Sequence, residues 1–277
     1  MIEAGSSGRT IDRDRAAALM EPLTDLVIEA GTAIVAVNRA AMKVDGKVDG
    51  SPVTEADMLS DRIIAEGLAR LAPEWPALSE ERVHVAKAPP YDGNFFLIDP
   101  LDGTKEFLAG RGEFTVNLAL VSNGTPLLGI IGAPALGLIW RGLVGRGAER
   151  LTTNGPIRTA EPIHTRSTPK PGAPWIVAVS RSHGDARTEA FIEGRPGAIR
   201  QMLGSALKFG RVAEGGADIY PRLAPTGEWD VAAGHAVVTA AGGRITDAGG
   251  AELRFGRGGE GFIVPEFIAW GDPAAAR

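Results

Sequence analysis

The stretch Asn94–Glu106 reads Asn-Phe-Phe-Leu-Ile-Asp-Pro-Leu-Asp-Gly-Thr-Lys-Glu, setting Asp99 and Asp102 three residues apart behind an apolar run, Phe95–Ile98. Carboxylates at the end of a buried strand are costly unless something compensates them. Hard divalent cations do this best, because Mg²⁺ takes carboxylate and carbonyl oxygens. Pro100 stiffens the turn, and Gly103 and Thr104 then redirect the chain, where backbone amides could hold an anion such as phosphate. The first expectation is therefore metal-assisted phosphoryl chemistry.

Other acidic and basic groups each carry two readings. Glu80 and Glu81 follow Ala77-Leu78-Ser79 and, taken alone, are a solvated pair. Asp57 stands three residues after Thr54, the spacing of a capping box. Asp230 falls in the first turn of an expected helix, Glu228–Ala241, where an acid suits the helix dipole. Ser205 and Lys208 are spaced to share a helix face and grip one phosphate with a hydroxyl and an ammonium. Arg222, in Tyr220-Pro221-Arg222, precedes the Asp230 segment, and Ser180-Arg181-Ser182-His183 forms a polar loop. Singly, Lys208 and Arg222 read as solvated cations and His183 as a loop histidine.

The elements that must position these groups follow from periodicity. Apolar residues at three- and four-residue steps predict a helix over Asp14–Met42, with Pro22 as a kink or its true start. Lys43–Ser51 reads as a loop, and a second helix opens at Thr54 and stops before Pro73. Strands are expected at Phe95–Ile98, Phe114–Val121, Leu127–Gly132 and Gly137–Val144. Residues 145–173 show little periodicity, and a subdomain boundary is placed there, giving segments 13–150 and 151–277. The second half predicts strands at Trp175–Val179, Ala217–Arg222 and finally Gly261–Val264, with helices near Asp185–Glu193, Ser205–Glu214 and Glu228–Ala241. Alternating elements of this kind imply helix-covered sheets in layers.

Composition narrows the chemistry. A chain of 277 residues, 44% hydrophobic and 23% charged, is ordinary for a globular protein. Its net charge of -5 weighs against a nucleic-acid polymer as partner. The absence of cysteine excludes disulfides, thiolate nucleophiles and cysteine-based zinc sites, and fits a cytoplasmic protein. The sequence shows no signal-peptide pattern at its start and no apolar run of the roughly 18 residues that a membrane span needs, although peripheral membrane association is left open. The Arg- and Gly-rich stretch Arg254–Gly261 has no functional reading at this level.

Read together, Pro52-Val53-Thr54-Glu55-Ala56-Asp57, Ser79-Glu80-Glu81, Asp99-Pro100-Leu101-Asp102-Gly103-Thr104 and Glu228-Trp229-Asp230 resemble the signature segments of the inositol monophosphatase superfamily. The resemblance spans about residues 20–270 and is strongest to the 3'(2'),5'-bisphosphate nucleotidases of the CysQ type. Lys105-Glu106-Phe107, the Ser205/Lys208 pair and Arg222 carry that finer likeness. It implies an α+β fold, a layered αβαβα sandwich shared with fructose-1,6-bisphosphatase. It also implies two or three Mg²⁺ ions held by Glu80, Asp99, Asp102, Asp230 and the carbonyl of Leu101, with sensitivity to Li⁺. Asp57 and Thr104 would activate water, and Gly103, Thr104, Ser180, His183, Ser205, Lys208, Arg222 and Asp230 would contact substrate. The implied reaction is hydrolysis of the 3'-phosphate of adenosine 3',5'-bisphosphate, and of the 3'-phosphorylated sulfate donor of sulfur assimilation, by a monomer or homodimer. Competing readings are an inositol monophosphatase or broad small-molecule phosphatase, and a catalytically silent ligand-binding protein on the same fold. The completeness of the acidic set stands against the last.

Overall fold

A computed structural model describes residues 11, 13–39, 44–46, 52–82, 93–155, 157–182, 184–257 and 261–276. In chain order the elements are α1 (Arg13–Ala36), β1 (Val44–Gly46), β2 (Pro52–Thr54), α2 (Glu55–Leu71), β3 (Ala77–Ser79), β4 (Asn94–Asp102), α3 (Thr104–Leu108), β5 (Thr115–Ser122), β6 (Thr125–Ala133), β7 (Leu138–Leu143), β8 (Gly147–Asn154) and β9 (Ile157–Ile163). There follow β10 (Ile176–Ser180), α4 (Ala186–Glu193), β11 (Ile199–Leu203), α5 (Leu207–Ala213), β12 (Ile219–Arg222), β13 (Thr226–Gly227), α6 (Glu228–Ala240), β14 (Arg244–Thr246), β15 (Ile263–Val264) and β16 (Phe267–Trp270).

Two sheets organise the chain. The larger runs β3-β4-β5-β6-β7-β8-β9. It is antiparallel except that β3 lies parallel to β4. The smaller runs β11-β10-β12-β16-β14, with parallel pairs around β10 and antiparallel pairs around β16. Helices α1 and α2 cover one face of the larger sheet, while α5 and α6 fill the space between the two sheets. α4 closes the far side of the smaller sheet, burying Ile192 with Val177, Ile219, Ile268 and Trp270. The result is the αβαβα sandwich expected from sequence.

This layering explains the apolar run that opens the Asp99/Asp102 segment. Alternate residues of a strand point to opposite faces, and both faces of β4 are covered. Phe96 and Ile98 enter the core under α1 and α2, and Phe95 and Leu97 enter the core around α6. A half-exposed strand would have alternated with polar residues.

Several elements depart from the sequence expectation. Helix α1 ends at Ala36, short of Met42, and Pro22 lies inside it. The expected loop Lys43–Ser51 includes β1, which pairs antiparallel with β2. The low-periodicity stretch 145–173 contains β8 and β9, a hairpin that extends the larger sheet. Exposure along nearly the whole of β9 leaves no apolar alternation to find. β11, β14 and β16 also escape sequence reading, and β16, not Gly261–Val264, is the last strand. Ser205 lies outside α5, with a left-handed φ of 49°. Among the described residues no helix is long and apolar enough to cross a membrane.

Candidate active site

The carboxylates converge through local irregularities. Between Asp99, opposite Asn117, and Asp102, opposite Thr115, β4 advances three residues while β5 advances two. One extra residue in a strand is a β-bulge, which bends the chain and re-aims side chains. In a regular strand, residues three apart would point to opposite faces. Here both acids reach one cleft. Ser60 of α2 donates to the Pro100 carbonyl at 2.7 Å and the Leu101 amide donates to Asp99 Oδ1 at 3.0 Å, fixing the bulge. Gly103 then turns the chain at φ 91°, a conformation that favours glycine.

Glu80 is brought in by the end of β3. Asp61, buried on α2, accepts from Ser79 Oγ at 2.6 Å and from Arg82 Nε at 3.1 Å, gripping both sides of the Glu80–Glu81 turn. Asp230 enters from the first turn of α6, where the Thr226 hydroxyl donates to it. Carboxylate oxygens of Glu80, Asp99 and Asp230 all lie within 4.8 Å of one another. Asp102 stands alongside, its Oδ2 accepting from Asn117 Nδ2 at 3.3 Å.

Such crowding has an electrostatic signature. Burial, then the charges of Glu80, Asp102 and Asp230, hold the Asp99 carboxyl well above the usual carboxylate range. Asp102 is pushed up to about 6 by burial and by Asp230, against the opposing pull of Lys208. Hard oxygen donors that repel one another in a shared cleft fit a divalent cation of the Mg²⁺ type.

Asp57 serves two purposes at once. Its Oδ2 closes the capping box of α2, accepting from the Thr54 amide at 2.8 Å and the Thr54 hydroxyl at 2.6 Å. Its Oδ1 accepts from the Thr104 hydroxyl at 3.1 Å. The capping reading of this residue is therefore realised, and the same carboxylate holds the Thr104 hydroxyl.

A cleft of about 360 Å³ joins these groups to residues of the second half. Ser180, Ser205, Lys208 and Arg222 all line it, as do Gly103 and Thr104; His183 lies outside the described residues. Lys208 is 2% exposed, its Nζ donating to the Leu203 carbonyl at 3.3 Å and the Ser205 carbonyl at 2.5 Å. Burial pulls its pKa down to about 8, and Asp102 resists that shift. Arg222 also lines the cleft; its Nε is buried without a hydrogen-bond partner, and its Nη2 donates to the Pro225 carbonyl at 3.5 Å. The shared helix face expected for Ser205 and Lys208 does not form. Because Ser205 adopts its left-handed conformation ahead of α5, its hydroxyl instead donates to the Asp102 carbonyl at 2.9 Å and meets Thr115 Oγ1 at 3.0 Å.

Sequence reasoning missed Asp61, Asn117 and Thr115. The signal for the last two was present: Thr115 and Asn117 are polar residues two apart inside an otherwise apolar strand. It also missed Glu228, which accepts the Gly256 amide at 2.7 Å and whose pKa burial raises to about 7. That bond, with Phe255 N–H donating to the Gly124 carbonyl at 3.0 Å, gives the described part of the stretch, Arg254–Arg257, a structural role as a strap at the start of α6.

A carboxylate cluster that shares one cleft with an ammonium and a guanidinium is suited to holding a divalent cation and a phosphate together. A sequence profile of the inositol monophosphatase family matches residues 17–272, and the chain belongs to that family. It is 38% identical to the 3'(2'),5'-bisphosphate nucleotidase CysQ of Shigella flexneri over 257 residues, covering 90% of this chain and 98% of that protein. The crystal structure of CysQ from Bacteroides thetaiotaomicron superposes with a TM-score of 0.71 at 32% identity, covering 92% of this chain and 97% of that one. An IMPase from Thermotoga maritima superposes equally well, TM-score 0.71, at 27% identity over 95% and 94% of the two chains.

Proposed function

We propose that this protein is a Mg²⁺-dependent 3'(2'),5'-bisphosphate nucleotidase that hydrolyses the 3'-phosphate of adenosine 3',5'-bisphosphate to AMP and phosphate. The observation that carries this reading is the placement of buried Lys208 and of Arg222 in the same cleft as the carboxylate cluster. A monophosphate needs cations only at the reacting centre. A bisphosphate brings a second anion about a ribose away, and these two residues supply its counter-charge. The CysQ relatives support the same substrate class.

Glu80, Asp99 and Asp230, with Asp102 and the Leu101 carbonyl, would hold the metal, which when bound acidifies water and offsets the charge of the phosphate. Thr104, its proton committed to Asp57, presents oxygen lone pairs to a water molecule. As that water attacks phosphorus in line, its proton passes to Thr104 Oγ1 and the Thr104 proton passes to Asp57 Oδ1. The new P–O bond forms as the bond to the ribose 3'-oxygen breaks; that oxygen takes a proton from solvent to give the 3'-hydroxyl of AMP, and Asp57 returns its proton to solvent. Gly103 and Thr104 line the cleft beside the carboxylates, where their amides would hold phosphate oxygens. Lys208 and Arg222 bind the second phosphate, and Ser180 and Ser205 line the path between.

Phosphate release from adenosine 3',5'-bisphosphate and inositol 1-phosphate, measured side by side with Mg²⁺ and then with added Li⁺, tests the reading. Preference for the nucleotide, abolished without Mg²⁺ and inhibited by Li⁺, is the expected result. Preference for the inositol phosphate would overturn the substrate assignment and keep the metal chemistry. Lys208→Ala should raise KM for the bisphosphate about tenfold or more, the scale of a lost charge-assisted hydrogen bond, and barely alter that for adenosine 3'-monophosphate. Equal losses on both nucleotides would remove Lys208 from second-phosphate recognition.

A further inference from the structure

Arg181 sits in the polar loop after β10, and its guanidinium is engaged by other groups of the protein. Nε donates to Glu113 Oε2 at 2.7 Å and Nη2 to Glu113 Oε1 at 2.8 Å, a bidentate pair. Nη2 also donates to the Met202 carbonyl at 2.7 Å, and the Arg181 amide donates to the Leu203 carbonyl at 3.1 Å. Glu113 in turn accepts the Gly204 amide at 3.0 Å. A Cβ at Gly204 would stand 2.5 Å from the Glu113 carbonyl oxygen, so only glycine lets the two segments approach this closely. The pair thus ties the segment leading into β5 to the β11–α5 connection, whose Gly204 and Ser205 line the cleft.

The connection it grips is Leu203–Ser205, whose two carbonyls receive the Lys208 ammonium. The same connection carries Ser205, held in a left-handed backbone with its hydroxyl on the Asp102 carbonyl. We propose that Arg181 and Glu113 form a positioning strut that sets the Lys208 ammonium relative to the carboxylate cluster, and so governs recognition of the substrate's second phosphate. This rests on the bisphosphate reading above. Arg181 acts through Glu113, Gly204 and the two carbonyls. Being about one-quarter to one-third exposed, the pair adds little to global stability. Its effect should fall on binding.

The test compares Arg181→Ala, Glu113→Ala and the double variant on adenosine 3',5'-bisphosphate and adenosine 3'-monophosphate. Each single change should raise KM for the bisphosphate about tenfold, a coupling typical of groups in one network, with kcat within about twofold. The double variant should be no worse than either single one, and Arg181→Lys should restore part of the loss, since an ammonium keeps the charge without the bidentate fork. KM for the monophosphate should stay unchanged. A rise for Arg181→Ala with none for Glu113→Ala would mean that Arg181 meets the substrate itself, and would overturn the strut. So would equal losses on both nucleotides. If the unaltered enzyme treats the two nucleotides alike, the bisphosphate reading fails separately. Amide exchange at Gly204 and Ala206 then decides the strut: Arg181→Ala accelerates it if the strut holds this segment, and unchanged exchange overturns it.

Discussion

Asp102→Asn is expected to lower kcat by about 10³-fold or more while the fold is retained and, without metal, becomes more stable. The first effect is loss of a charge from the proposed metal set, where several kcal/mol of transition-state stabilisation are at stake. The second follows from crowding. Asp102 is raised from 3.8 to about 6 by burial and by Asp230, so its ionised form is the unfavourable one in the metal-free fold. A group whose folded pKa is raised contributes stability below its unfolded pKa and loses it as pH rises through the folded value. Metal-free stability should therefore decline between about pH 4 and pH 6 on account of this residue, and Asp102→Asn should flatten that decline. Thermal melts with EDTA at pH 5 and pH 8, beside melts with Mg²⁺, read this directly. Near-normal turnover, or a metal-free variant less stable than its parent at pH 8, would refute the assignment.

Thr104→Val should cost about 10²–10⁴-fold in kcat, the range of a positioned proton-transfer group, with KM for the bisphosphate little changed. Valine keeps the shape and removes the hydroxyl that donates to Asp57. Asp57→Asn should cost as much in rate and, unlike Thr104→Val, should also weaken the protein by about 1 kcal/mol. The carboxylate closes the α2 capping box, and an amide oxygen is a poorer acceptor for the Thr54 amide and hydroxyl. Because the two groups act in series, Thr104→Val with Asp57→Asn should be no slower than the worse single variant. Rates combined with denaturant unfolding separate the contributions. Full multiplication of the two rate losses would show that they act independently, against the proposed relay.

The two predictions differ in how visible their causes are along the chain. Asp57 and Thr54 are three residues apart, and a capping box is a local object whose geometry follows from that spacing. The apolar run of β4, the periodicity of α1 and the acid at the start of α6 are equally local. They determined the element types, the layered class and the identities of the acidic residues. What local pattern could not supply was direction. Asp99 and Asp102, three apart on a strand, should diverge; the bulge against Asn117 and Thr115 makes them converge. Ser205 and Lys208, spaced for one helix face, do not share one because α5 begins only at Leu207, and the Ser205 hydroxyl finds the Asp102 carbonyl 103 residues away in sequence. The hairpin of β8 and β9 was hidden because its exposed strand carries no apolar alternation. Periodicity records which face of an element is buried, and so the sequence alone determined the strongly patterned elements and the acidic residues they carry. Convergence of carboxylates, cations and the Arg181–Glu113 pair depends on contacts 68 to 131 residues apart, such as Glu113 with Arg181 and Asp99 with Asp230. Only packing of the two sheets across α5 and α6 decided those, because a contact between distant segments leaves no period in either one.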